Sequence, residues 1–401
     1  FAESMKGGLT SWMGLALVAG LGLGTWAPEV SKQLAIVSTI FLNLIQSVIA
    51  PLLFGMLVSS LAGMQQMREL GRLGIRTLIY FEIATTIALL VGCGLMLLVQ
   101  PGRGLALSAA AVDRAAPLDL RAVVANSAPS SVIGAMQRGD ILALVIFCLL
   151  FGMACQATGK AAGPVVAFAE AMAQVAERYT RFVMWLAPAA VCGAIASTLA
   201  QHGWGMFEGL GKFIATAYAA QVLYAVVVFG GLLTWAGVPW VAFWRAVREP
   251  FLVAFTTTSS AAALPLALRN MKEFGVPAPI VSFVMPVGLS FNLAGSTIHL
   301  IMAAMFVAQA AGMALSGSML LLILATLKLT SKGVAGIPRA NFVILSGLFA
   351  TFSLPPEGLP LLLGVDAVID MIRTGVNILG HCVGPVVMAR LEGWSYRDAA
   401  S

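Results

Sequence analysis

Six polar residues recur through an otherwise apolar stretch near the end of the chain. Asp366, Asp370, Arg373, Thr374, Asn377 and His381 are separated by Val, Ile, Met, Leu and Gly. At about 100° per residue on a helix, they fall within roughly 100° of one another. Such a stripe cannot face lipid, because a charge at the bilayer centre costs several kcal/mol at least. It must face protein or a water-filled cavity. The chemistry it offers is recognition of charge. Arg373 carries five N–H donors in a planar fork that fits a carboxylate bidentately. With two aspartates within a turn or so, one is expected to orient Arg373 while the other stays free for a cationic group. Arg373 beside a free Asp370 suits an amino acid that carries an extra carboxylate. The plainer alternative is a structural ion pair, in which Asp366 or Asp370 neutralises Arg373 to lock two elements together.

The elements that position this stripe are set by composition. Of 401 residues, 60% are hydrophobic and 10% charged, whereas a soluble domain carries about 25% charged residues. The chain is a polytopic membrane protein, expected to form one integrated transmembrane unit. The net charge of +6 fits basic cytoplasmic loops, and no basic run with interleaved aromatics points to nucleic acid. Cys93, Cys148, Cys155, Cys192 and Cys382 sit in apolar stretches without a C-x-x-C pair, so they are expected to be core thiols.

A span needs roughly 20 apolar residues. Spans are predicted near 10–28, 34–64, 75–99, 141–157, 164–201 and 208–238. The first is read as a span rather than a signal peptide. The second and fifth exceed one crossing, which predicts strong tilt. A more polar insertion with short helices is expected between 101 and 140. Arg68, Arg72 and Arg76, then Arg245 and Arg248, then Arg390 and Arg397 mark cytoplasmic regions. Both termini are therefore expected in the cytoplasm of a cell whose inner membrane holds the protein.

After Pro250 the pattern changes. "FLVAFTTTSSAAALPLALRNMKEFG" is broken by five hydroxyl residues and a proline, and "MLLLILATLKLTSKGVAGIPRANFVILSGLFATFSL" by Lys-Gly, Gly and Pro. Each apolar arm is too short to span. Irregular backbone at membrane depth is tolerated only where protein buries it or it lines a cavity, and paired interrupted segments point to a transporter binding site. Two re-entrant hairpins are predicted, with tips near 258–263 and 333–338. Between them "PVGLSFNLAGSTIHLIMAAMF" reads as a helix broken at 292–296. The fold class is thus all-α, with eight transmembrane helices plus two re-entrant helical hairpins. Ser259 and Ser260 stand where a half-helix N-terminus would present N–H groups to an anion, although serine clusters also serve plain loop and packing roles.

Taken together, "TSSAAALP", "NLAGST", "SKGVAGIP" and "DAVIDMIRTGVNILGH" resemble, in order, the first hairpin, helix break, second hairpin and last helix of the glutamate transporter family, the dicarboxylate/amino acid:cation symporters. "IAPLLFGMLVSSLAGM" and "IYFEIATTIALLVG" resemble its second and third spans, so the likeness runs from the first span to Gly393. It implies a homotrimer in the lipid bilayer, working as an elevator that carries a small acidic substrate, with no enzymatic activity and no cofactor. It divides the chain into scaffold spans one and two over 1–74, span three of the transport domain over 75–100, and scaffold spans four and five over 101–207. The transport core over 208–401 holds span six, a hairpin at 240–275, a broken helix at 278–310, a hairpin at 315–355 and the last helix at 361–392. Carried over, Arg373 would hold a substrate side-chain carboxylate with Ser296 nearby, and Asp370 the α-amino group. Thr374, Asn377 and the backbone around Ser260 would help hold the α-carboxylate. Asp366 would orient Arg373, and the backbone around Ile337 and Pro338 would close as a lid.

The chain departs from that family in two places. Ala294 and His381 stand where the resemblance implies acidic sodium ligands. Asn292, Asn377, Thr85 and Thr86 remain as residual sodium candidates, without charge. Sodium wants oxygen ligands, and histidine titrates nearest neutral pH. Proton coupling through His381, Glu82 or His299 is therefore the leading expectation, with sodium coupling through residual sites, uncoupled exchange or an anion-conducting channel as alternatives. His299 alone reads equally as a packing residue. Lys332 is a candidate for a fixed positive charge where a sodium would sit, or an interfacial lysine. An intramembrane hydrolase is disfavoured: the chain lacks G-x-S-x-G and H-E-x-x-H motifs.

Overall fold

A computed structural model of the chain describes residues 6–48, 50–59, 71–105, 107, 130–138, 141–331 and 340–396. Every regular element among them is helical. Five helical segments are long and apolar enough to cross a membrane, and their outward faces are apolar, as with Ile75, Ile79, Ile83 and Leu90. This is a multi-pass membrane protein. The lid residues Ile337 and Pro338, together with Lys332 and Arg68, lie outside the described residues.

The N-terminal helix α1 (Lys6–Trp26) leads to α2 (Pro28–Gln33) and α3 (Ala35–Ser47). Residues 50–59 are again helical. The second span is thus shared among α2, α3 and this segment, with the Leu52 N–H donating to the Val48 carbonyl at 3.0 Å. Next comes α4 (Arg72–Val99), three residues earlier than the predicted start. After α5 (Val132–Arg138) and α6 (Ile141–Thr158), the fifth span is also divided. It consists of α7 (Gly163–Val183), a 3-10 turn at Met184–Leu186 and α8 (Ala187–His202). Pro188 sits in the first turn of α8, where a missing N–H costs nothing. The seam between α1 and α8 is built on small residues: a Cβ on Gly20 would come within 2.8 Å of the Cys192 carbonyl oxygen. Close backbone approach of this kind is how helices associate without a hydrophobic drive between them.

The sixth span is α9 (Gly205–Tyr224), a π turn at Ala225–Phe229 and α10 (Gly230–Trp235). Two helices, α11 (Trp240–Thr257) and α12 (Ser260–Glu273), follow and pack on each other. They are joined through Thr258 in the left-handed region at φ +50°. Then come α13 (Ala278–Phe291) and α14 (Ala294–Ala310), separated by the non-helical Asn292 and Leu293. The chain ends with α15 (Gly317–Thr330), α16 (Ala340–Thr351) and α17 (Gly358–Leu391). At about 1.5 Å per residue, α17 is about 50 Å long. It is buried nearly all round, so it forms the axis of the molecule and carries the polar stripe inside.

One end of the bundle is clasped. Glu392 lies 3.0 Å from Arg72 and 2.8 Å from Arg76, while the Trp394 indole donates to the Gly275 carbonyl at 2.9 Å. Two of the basic regions thus share one end. The hydrogen bond from Arg72 holds the Glu392 carboxyl below its usual range. Because that value is lowered on folding, the contribution is complete above the ordinary glutamate value of about 4.3 and is lost as pH falls through the lowered value. The clasp is therefore constant over the neutral range, and any change of transport there arises elsewhere. No cysteine forms a disulfide, and four of the five are buried.

Candidate functional site

The stripe on α17 closes on itself. Arg373 Nε donates to Asp370 Oδ1 at 3.0 Å and Nη1 to Asp366 Oδ1 at 3.0 Å. Nη2 lies 2.6 Å from Asp370 Oδ1, and the Thr374 hydroxyl donates to the same oxygen at 2.9 Å. Spacing of i, i+3 and i+4 on one helix brings these groups together. Asp370 is therefore not left free: both aspartates hold Arg373. The two aspartates are not equivalent, however. The Asp366 side chain is 0% exposed and Arg373 4%, while Asp370 keeps 12% of its side chain open. Asp366 is sealed inside, and Asp370 is the more open of the two. The aspartates engage Nε, Nη1 and Nη2 once each, three of the five guanidinium N–H groups, so two donors remain.

A second cluster links α17 to α14. Asn377 Oδ1 accepts from the backbone N–H groups of Gly295 at 2.9 Å and Ser296 at 3.3 Å, and its Nδ2 donates to Ser296 Oγ at 3.0 Å. Asn377 thus caps the start of α14 from a neighbouring helix, satisfying N–H groups that no helical carbonyl can reach. Gln221 on α9 donates to the Gly295 carbonyl at 2.8 Å. Asn292 Nδ2 donates to the Gly380 carbonyl at 3.0 Å. These bonds hold the break between α13 and α14 open against α17.

His381 lies over Gly288, where a Cβ would come within 3.4 Å of its ring. The carbonyls of Gly288 and Asn292 face the imidazole outside hydrogen-bond geometry, so both ring nitrogens and Asn292 Oδ1 are buried without a partner among the described residues. Ala294 is fully buried beside them in sequence. His299 places Nε2 3.6 Å from Asp366 Oδ1 and its ring against Phe213, behind the arginine rather than beside His381. Ser259 caps α12 by accepting from the Ala262 N–H at 3.3 Å, and among the described residues neither Ser259 nor Ser260 hydrogen-bonds the stripe. Ser259→Ala should cost about 1 kcal/mol of local helix stability, read as faster amide exchange over residues 260–264.

Three of the four residual sodium candidates are engaged. Asn377 Oδ1 is occupied by backbone N–H groups, and the Thr85 and Thr86 hydroxyls receive the Lys328 ammonium at 3.1 and 2.6 Å. Glu82 is 2.8 Å from the same ammonium. No group of three or more His, Cys, Asp or Glu among the described residues is placed to hold a metal ion. Gln221 and Lys328 were not singled out from sequence. A lone amide or ammonium inside an apolar helix is the signal that marks them.

Opposed charges buried on a central helix, beside a helix broken in its middle, suit a membrane transporter, and the family to which the chain belongs is one of transporters, not enzymes. The chain belongs to the sodium:dicarboxylate symporter family, whose model matches residues 9–391. It is 37% identical over 390 residues to C4-dicarboxylate transport protein 3 of Ralstonia nicotianae, covering 94% of this chain and 87% of the relative. It is 34% identical over 386 residues to the proton/glutamate-aspartate symporter of Bacillus subtilis, covering 94% and 93%. It is 33% identical over 401 residues to the proton/sodium-glutamate symport protein of Geobacillus stearothermophilus, covering 97% and 95%.

Proposed function

We propose that the chain carries an acidic amino acid, aspartate or glutamate, across the cell membrane in symport with protons and without sodium. The observation that carries this reading is the charge of the buried triad. One guanidinium and two carboxylates sum to −1. A plain C4-dicarboxylate would add two negative charges to a low-dielectric site. An acidic amino acid adds only one, and its ammonium meets the Asp370 carboxylate that Arg373 gives up when it turns to the substrate. Buried charges are tolerated only when paired, so the zwitterion fits better. The similarity to dicarboxylate carriers and glutamate symporters is nearly equal, which makes a C4-dicarboxylate the second reading.

In this scheme Arg373 and Ser296 hold the side-chain carboxylate, Asp370 the α-amino group, and Thr374, Asn377 and the backbone at Ser260 the α-carboxylate. Asp366 fixes Arg373, and the segment around Ile337 and Pro338 closes over the ligand. A transport domain of residues 75–100 and 208–401 moves as an elevator against a scaffold of 1–74 and 101–207 in a homotrimer. The basic regions at the clasped end face the cytoplasm. Uptake into proteoliposomes with imposed proton or sodium gradients tests the coupling. Competition by aspartate and succinate tests the substrate: Asp370→Asn should weaken aspartate by about 30-fold or more, the scale of a broken buried charge pair. A wild type that prefers succinate would sink the amino-acid reading.

His381 is the proposed proton carrier, supported by its buried imidazole facing the carbonyls of Gly288 and Asn292 at the helix break. Glu82 is weaker, being ion-paired and 45% exposed. A substrate that prefers the protonated carrier raises its proton affinity by reciprocal linkage. Apparent affinity should therefore fall as pH rises through the carrier's own titration, and His381→Gln should flatten that slope while exchange persists. A slope that survives in His381→Gln and vanishes in Glu82→Gln would assign the proton to Glu82.

A further inference from the structure

The surroundings of Lys328 have the form of a cation site. Its ammonium on α15 reaches four oxygens of α4: Glu82 Oε2 at 2.8 Å, Thr86 Oγ1 at 2.6 Å, Thr85 Oγ1 at 3.1 Å and the Glu82 carbonyl. The two hydroxyls already spend their protons inside α4. Thr85 Oγ1 donates to the Phe81 carbonyl at 2.8 Å, and Thr86 Oγ1 to the Glu82 carbonyl at 2.7 Å. What they turn toward Lys328 is therefore lone pairs only. A carboxylate, two hydroxyl oxygens with committed protons and a backbone carbonyl form the hard oxygen set that an alkali cation prefers. Lysine is a compact point charge on a flexible stem, and its side chain here is 24% exposed. An interfacial lysine reaching for water would not bring its head to four oxygens of one neighbouring helix.

We propose that the Lys328 ammonium is a built-in monovalent cation, filling an oxygen cage on α4 that binds an alkali ion when the lysine is shortened. The proposal rests on the sodium-independent reading above and gives it a cause, because an ammonium supplied by the chain is never limited by the ion in solution. The same contact joins α15 to α4, so the tie between them is permanent where a soluble ion would make it conditional.

The test is thermal unfolding of the purified full-length protein in sodium, potassium, lithium or choline chloride at equal ionic strength. Wild type should unfold at one temperature in all four. Lys328→Ala should unfold earlier in choline and recover in at least one alkali chloride, by about 3 °C or more and saturably, as ligand linkage requires. Lys328→Gln should show the same dependence with a smaller gain, and Thr86→Val added to Lys328→Ala should abolish it. Equal unfolding of both lysine variants in alkali and choline chlorides would overturn the proposal, as would failure of both to fold in every salt, because no solution cation would then replace the ammonium. A saturable sodium gain in wild type would instead sink the sodium-independent reading, and the cage would be decided by whether Lys328→Ala adds a further increment.

Discussion

Arg373→Lys should fold, insert and fail to transport. Lysine keeps the positive charge between Asp366 and Asp370, so the buried carboxylates retain a counter-charge. An ammonium, however, cannot bond to both aspartates and a substrate carboxylate through a planar fork. Losing a buried charge-assisted pair costs about 2–5 kcal/mol, so affinity for the acidic substrate should fall by about 30-fold to several thousand-fold. Arg373→Ala should do worse and differently. It takes the guanidinium from Asp366, which has no exposed side-chain surface, and breaking a buried pair by removing one partner costs about 3–5 kcal/mol of stability. Uptake measured beside unfolding temperature separates the two variants. Near-normal uptake by Arg373→Lys would reject the site.

Gly295→Ala should eliminate transport although it adds one methyl group and changes no charge. Gly295 donates its N–H to Asn377, accepts from Gln221 and runs against α17. A Cβ there would enter the shell of the Arg373 carbonyl oxygen and come within 3.1 Å of Asn377 Oδ1. Neither atom can yield, one being backbone and the other the cap of α14. Overpacking of this kind costs about 1–3 kcal/mol, and any relief pushes the broken helix off the stripe. Gly211→Ala on α9, where a Cβ meets nothing within 4 Å, is the matched control and should be neutral or slightly stabilising. Retained uptake by Gly295→Ala with the control unchanged would mean that the α14 break does not shape the site.

The stripe was legible because its spacing repeats with the helix: Asp366, Asp370, Arg373 and Thr374 meet through contacts three to seven residues apart. The half-helix cap at Ser259 was legible for the same reason, since capping is local. The capture of Asp370 by Arg373 was not. Spacing permits either aspartate to pair, and only the packed helix decides that both do. Lys328 was hidden more deeply. Its oxygens lie more than 240 positions away in sequence, and nothing in the apolar arm around it names a partner. Sequence offered Lys332, four positions further on, either as a stand-in positive charge or as an interfacial lysine, and it lies outside the described residues. The 3-10 turn inside the fifth span was not legible from hydrophobic length, although Pro188 marks the start of α8 just after it.

The wide turn at Ala225–Phe229 has its own consequence. A π turn is an α-helix that has accepted one residue more than its winding needs. Ahead of it, Gln221 and Tyr224 address Gly295 and the Ala84 carbonyl. At its end, Phe229 sits edge-on to Tyr224 and lies beside Gly380. The surplus residue acts as a phase shifter: the sixth span reads as one rod from outside, yet its two halves are clocked separately, each to its own neighbour.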